Sequence, residues 1–263
     1  MTKIKQMDCR KFNEKLEFYL RPQSFPLAIK MLKAGDSIPD KTKVPLRDLN
    51  KRIAICQGIS IARRYGWTIA MGEADINCPI TKIVFGFEKA SEKYYSGVAC
   101  AGMYNASEKE GAKTEKECPK FEYGKYEKIL VAPLFSGKFM PDIVCIYGNS
   151  AQVMRLLVAS LYERGGYLHS KFCGRVDCAD IVIETMKNKR CQVILPCYGD
   201  RVFAQTQDDE MAFSFPYDEA ESICRGLEET HKAGIRYPIP NYLRYEGEFP
   251  EKYKAVMNDW EKS

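Results

Sequence analysis

The alternation of apolar and polar positions divides the chain into short segments of two kinds. Helical spacing predicts helices over residues 8–20, 48–65, 106–118, 150–164, 179–190 and 216–232. Short apolar runs predict strands over 25–32 (FPLAIKML), 67–71, 94–101, 126–135 (YEKILVAPLF), 141–147 (PDIVCIY), 192–196 (QVILP) and 211–215. Arg21-Pro22 stops the first helix, Pro79 opens a short helix behind Cys78, and Asn149 or Ser150 caps the helix that follows. On the helix over 48–65, Leu49, Ile53, Cys56 and Ser60 share one face, which turns Cys56 inward. Strands alternating with helices predict an α/β fold with a mixed sheet.

The rhythm recurs. Shifted by about 100 positions, Ser60, Arg64, Gly66 and Cys78 fall on Ser160, Arg164, Gly166 and Cys178, and after a small offset Cys100 falls on Cys197. The expectation is two similar α/β halves from an internal duplication, residues 1–135 and 136–235, followed by an arm over 236–263 packed on the body, all in one compact unit.

Composition narrows the function. With 45% hydrophobic and 29% charged residues the chain is a folded globular protein. The net charge of +5 comes from 40 basic residues scattered among 35 acidic ones, not from a basic face, so nucleic acid is not an expected partner. Residues 1–20 lack a signal-peptide pattern and no run is long enough to span a membrane, which together predict a cytoplasmic protein. There 11 cysteines read as thiols or metal ligands before disulfides.

Dinucleotide and P-loop glycine motifs, HExxH and GxSxG are all missing, and the two histidines, His169 and His231, do not make a multi-histidine metal site. The thiols remain. Cys56, Cys78, Cys178 and Cys197 are the candidate set, because the last three sit at segment ends where backbone amides reach sulfur. The opposing reading treats each cysteine as a small buried hydrophobe. In Cys197-Tyr-Gly-Asp-Arg, Asp200 can orient a neighbour and Arg201 can fork onto an anion, or the two can close a strand-ending turn. Cys178 at a helix start, with His169 as base, is a candidate nucleophile. Lys30 reads as an anion contact or a snorkelling edge residue, and Asp208-Asp209-Glu210 as a solvated loop before a cation site.

PLAIKML, RIAICQG, EADINCP, VAPL, PDIVCIYGNSAQVMRLLVASLYERGG, LPCYGDRVFAQTQDDE and THKAGIRYPIPNYL together resemble domain of unknown function family 169, over about residues 15–243. Members of that family are bacterial and archaeal, many from anaerobes, without a settled activity. The resemblance implies functional cysteines at Cys56, Cys78, Cys178 and Cys197 and polar site groups at Lys30, Gln57, Asp200 and Arg201. Ile80 stands where the family pattern has a glycine, and Cys100 lies outside the pattern.

The expected function is therefore a cysteine-ligated iron-sulfur protein, four-iron four-sulfur with zinc as the alternative. It acts in electron transfer or in redox chemistry on a small anionic ligand held near Arg201 and Lys30, with a redox protein as the other partner class. A cysteine-nucleophile enzyme and a noncatalytic metabolite-binding protein are the rivals, and homo-oligomerisation stays open.

Overall fold

The computed structural model describes residues 7–239 and 247–260, with the side chains of 258–260 left aside. Its frame is one six-stranded sheet in the order β2-β3-β1-β4-β6-β5. The strands are β1 (Leu27–Leu32), β2 (Ile69–Gly72), β3 (Lys128–Pro133), β4 (Ile143–Gly148), β5 (Gln192–Ile194) and β6 (Met211–Pro216). The α/β class holds. Every ladder is antiparallel, so the parallel component of the expected mixed sheet does not form among these strands.

Alternation along the strands sends successive side chains to opposite faces. One face gathers Leu27, Ile29, Met31, Ile129, Val131, Cys145 and Tyr147 with Cys178, Ile181 and Ile183 from the helices above it. The other face gathers Ala28, Val144, Ile146, Phe213 and Phe215 beneath α1 (Cys9–Leu20), α6 (Ser150–Leu161) and α10 (Ala220–Lys232). On α1, Phe12, Leu16 and Leu20 are spaced by four and lie fully buried. Asp8 caps this helix through the amides of Arg10 and Lys11, and Arg21 ends it in the left-handed conformation at φ 48°. Asn149 caps α6 in a reciprocal box with Gln152, whose amide also donates to the carbonyls of Leu20 and Arg21 at 2.9 Å.

The sheet's first face carries α2 (Ile55–Tyr65), α3 (Pro79–Val84), α7 (Asp177–Ala179), α8 (Thr185–Asn188) and α9 (Tyr198–Ala204). Asp180–Glu184 is a π-helical turn joining α7 to α8, so residues 177–188 run on without a break. Further out lie α4 (Glu92–Tyr95) and α5 (Glu108–Glu117), and α11 (Glu251–Trp260) closes the described chain. The arm expected over 236–263 lies partly outside the described residues. No described helix is long and apolar enough to cross a membrane.

Three local expectations change. The second helix starts at Ile55, not near residue 48, because the Asp48 carboxylate takes the Val44 amide at 2.6 Å and Asn50 turns left-handed. Residues 94–101 form α4 and a turn instead of a strand: Gly97 has φ 83°, and a Cβ there would meet the Glu108 carbonyl at 2.3 Å. Residues 198–204 are helical where a strand-ending turn was expected. The duplication is not confirmed. Ser60 reaches across to the Ala204 carbonyl while Ser160 bonds back to Leu157 in its own helix, and Cys100 sits in a turn whereas Cys197 caps a helix.

Candidate functional site

Four of the cysteines stand at the first residues of four helices. Cys56 is the second residue of α2, Cys78 is the N-cap of α3, Cys178 is the second residue of α7, and Cys197 is the N-cap of α9. Helix starts present unpaired amides and the positive end of the peptide dipoles, the environment that a thiolate or an anionic sulfur group requires.

Pairwise ties link these four helices in a ring. Ile53 bridges to Ile76, with the Ile53 amide on the Asp75 carbonyl at 2.9 Å and the Asn77 amide on the Ile53 carbonyl at 3.1 Å, which sets Cys56 beside Cys78. The Thr81 hydroxyl lies 3.9 Å from Cys178 Sγ, joining α3 to α7. The Asp177 charge acts on both Cys197 and Asp200, which sets α7 beside α9. The Ser60 hydroxyl donates to the Ala204 carbonyl at 2.7 Å and Arg63 pairs with Glu210, joining α9 and its loop back to α2.

Electrostatics reports the same convergence. Burial pushes the Cys56 thiol up, and Asp200, Asp177, Cys197 and Cys78 push it further. Burial raises Cys178 well above the ordinary thiol value, with Asp177, Cys56, Cys78 and Cys197 adding to it. Cys197 is raised to about 12 by burial and then by the Asp177 charge. Cys178 and Cys197 are buried, while Cys56 and Cys78 are half-buried and form the open side. Asp200 is raised to about 8, first by burial and then by Asp177, and accepts the Thr206 hydroxyl at 2.8 Å. Asp177 Oδ2 and Tyr147 Oη are buried without a hydrogen-bond partner. Val176, at φ 54°, places a β-branched residue in the left-handed region directly ahead of this cluster, strain that the surrounding structure must hold in place.

The predicted polar set divides. Asp200 belongs to the cluster, and Gln57 follows Cys56 but spends its side-chain oxygen on the Ala54 amide at 2.8 Å as a helix cap. Lys30 lies between Ile29 and Met31, both in the cysteine-side core, so it points through the opposite face, where its ammonium meets the Met140 carbonyl at 3.2 Å. Arg201 turns to the Gln207 carbonyl at 2.6 Å and to Asp208 at 3.9 Å. The expected anion clamp of Lys30 with Arg201 is not assembled. His169 lines a cavity with Arg164, Arg190 and Cys191, not with Cys178, so the expected base and nucleophile are not paired. Glu210, read as part of a solvated acidic loop, is instead buried on Arg63; the Arg63 and Arg64 side chains had no pattern marking them as its partners.

Among the described residues no three His, Cys, Asp or Glu side chains close on one point as a single ion requires. Around one zinc, bonds of about 2.3 Å draw the sulfurs to within about 4 Å of each other. In a cuboidal cluster each thiolate binds a different iron, so single-point closure is not needed. Four thiols stand at four helix starts above an apolar wall.

Comparison with known proteins gives one curated relative, the uncharacterized protein MJ0308 of Methanocaldococcus jannaschii, 27% identical over 205 residues that cover 77% of this chain and 86% of the relative. No solved structure matches the chain. The family model DUF169, described as uncharacterised ArCR, matches residues 15–226, and that span includes Cys56, Cys78, Cys178 and Cys197. The chain belongs to the DUF169 family.

Proposed function

We propose that the protein is a cysteine-ligated iron-sulfur protein, with Cys56, Cys78, Cys178 and Cys197 holding a four-iron four-sulfur cluster that serves electron transfer to a redox partner. The observation that supports this reading is the ring of ties linking α2, α3, α7 and α9, each of which carries one of the four thiols at its start. The cluster, when bound, supplies a one-electron redox couple. The chain's own part is to orient the four sulfurs, to aim helix-start amides at them, and to exclude water on the sheet side through Ile29, Met31 and Cys145.

The surroundings suit a partner protein better than a small anion. On α9, directly after Cys197, Tyr198, Val202 and Phe203 are exposed. Arg201, the remaining cation of the expected anion site, is engaged by the Gln207 loop.

Anoxic purification tests the reading. The expected preparation is brown, with a broad visible band from sulfur-to-iron charge transfer and about four iron and four sulfide per chain. Cys178→Ser loses most of both. A colourless preparation that takes up neither iron nor sulfide on anoxic reconstitution rejects the cluster, and stoichiometric zinc in its place transfers the site to the zinc alternative.

A further inference from the structure

A second sulfur site lies away from the four cysteines. Cys118, which ends α5, and Cys173, in the irregular stretch before α7, line one cavity of about 250 Å³ together with Lys171, Phe172, Asp180 and Glu184. The two thiols differ in access: Cys118 is buried and Cys173 is exposed. Each is held from its own side. Lys120 donates to the Cys118 carbonyl at 2.7 Å and to the Glu115 carbonyl, fixing the end of α5. Cys173 Sγ sits 3.1 Å from the Arg175 carbonyl, and the buried Arg175 guanidinium is locked to Glu115 at 2.5 Å and to Cys100. One ion pair therefore anchors the Cys173 segment to α5, the helix that Cys118 ends.

From this geometry we infer that Cys118 and Cys173 form a redox-active dithiol that reduces small-molecule disulfides bound in the cavity. Cys173, the exposed sulfur, attacks one sulfur of the external disulfide; its S–S bond breaks, a mixed disulfide forms on Cys173, and one substrate thiolate leaves. Cys118 then gives up its proton, its sulfur attacks Cys173 Sγ, and the second substrate thiolate leaves. The protein disulfide formed, the two electrons lost by the pair and the two thiols released balance the step. The electrostatic asymmetry agrees with these roles. The neighbouring Cys118 and the Arg175 charge lower the Cys173 thiol from its ordinary value, whereas the Cys118 thiol is raised. The exposed sulfur is the readier of the two to ionise and attack, and the buried one keeps its proton for the second step.

The inference does not depend on the iron-sulfur reading, because neither cysteine belongs to the proposed ligand set. The test uses the whole chain, reduced and anoxic, treated with oxidised glutathione, alkylated and mapped by mass spectrometry. The expected result is loss of two alkylatable thiols and a peptide cross-linked through Cys118 and Cys173. Cys118→Ser is expected to stop at a glutathione adduct on Cys173, and Cys173→Ser, a change at an exposed position, to form neither product. If wild-type Cys173 stays alkylatable, keeps a stable glutathione adduct, or if Cys118 links to a different cysteine, the dithiol assignment is wrong. The wild-type map decides this even if the buried Cys118→Ser change disturbs folding.

Discussion

At the scale of single residues, the decisive polar contact is the one between Arg63 and Glu210. The Arg63 side chain is 1% exposed and that of Glu210 10%, and their closest approach is 2.5 Å, with Arg64 and Thr206 completing the set. A buried pair of this kind contributes little relative to an apolar pair but is costly to break, because one charge is left stranded. Glu210→Ala is expected to lower stability by about 3–5 kcal/mol in urea unfolding, with loosening of α9 against α2. The pH dependence has a defined sign. Burial alone would raise the Glu210 carboxyl, but hydrogen bonds from Arg63 and the Gln207 amide, with the charges of Arg63 and Arg64, outweigh it and hold the group below its ordinary 4.5. A depressed carboxyl stabilises the fold above its unfolded value and loses that contribution as pH falls through the folded one. Stability of the wild type is expected to fall below about pH 4.5 more steeply than that of the Ala variant; equal slopes in parallel acid titrations would remove the pair from the account. Nothing in the sequence marks this contact, since the residues lie 147 positions apart and Glu210 follows two exposed aspartates.

At the scale of elements, legibility follows the range of the forces. Helix α1, with Asp8 ahead of it and Phe12, Leu16 and Leu20 at helical spacing, is readable because cap and periodicity are local. So are β1, β3, β4 and β6, whose apolar runs are buried on both faces. The start of α2 is not, because the chain leaves the helical path at Asn50 to make the Ile53–Ile76 bridge, a tertiary contact. Of the candidate site, the helix-start positions of Cys78 and Cys178 were legible from Pro79 and from a segment boundary, whereas those of Cys56 and Cys197 were not, because a longer helix and a strand-ending turn were expected there. The face to which Lys30 points depended on sheet pairing and was not. Helix packing supplies a further prediction. Gly226 of α10 lies so close to α6 that an added Cβ would sit 2.2 Å from the Ala159 carbonyl oxygen. The contact is backbone, so it does not yield by a rotamer change. Gly226→Ala is expected to cost roughly 1–3 kcal/mol despite the better helix propensity of alanine. A midpoint equal to wild type in thermal unfolding would mean that α6 and α10 slide apart without penalty.

At the scale of the whole molecule, the four site cysteines tie distant parts of the chain. Cys56 and Cys78 come from segments around β2, Cys178 and Cys197 from segments around β5, and these two strands are the opposite edges of the sheet. The sheet is held by its own ladders and by α1, α6 and α10 on the far face, none of which involves the four thiols. A cluster held by all four would act as a cross-brace over the near face, adding stability that scales with the logarithm of its binding constant. The effect should be local. Loading is expected to raise the thermal midpoint and to slow amide exchange in residues 54–58, 77–84, 177–183 and 197–204, leaving β1 and β4 unchanged, since the sheet already forms without the brace. Cys56→Ser and Cys197→Ser should each abolish the gain on loading, because either change opens the ring on one side. A midpoint that rises equally in both variants would show that stabilisation comes from metal bound elsewhere. Protection spread evenly over the sheet would show instead that loading and folding are one event, with the helix starts unassembled until the sulfurs are bound.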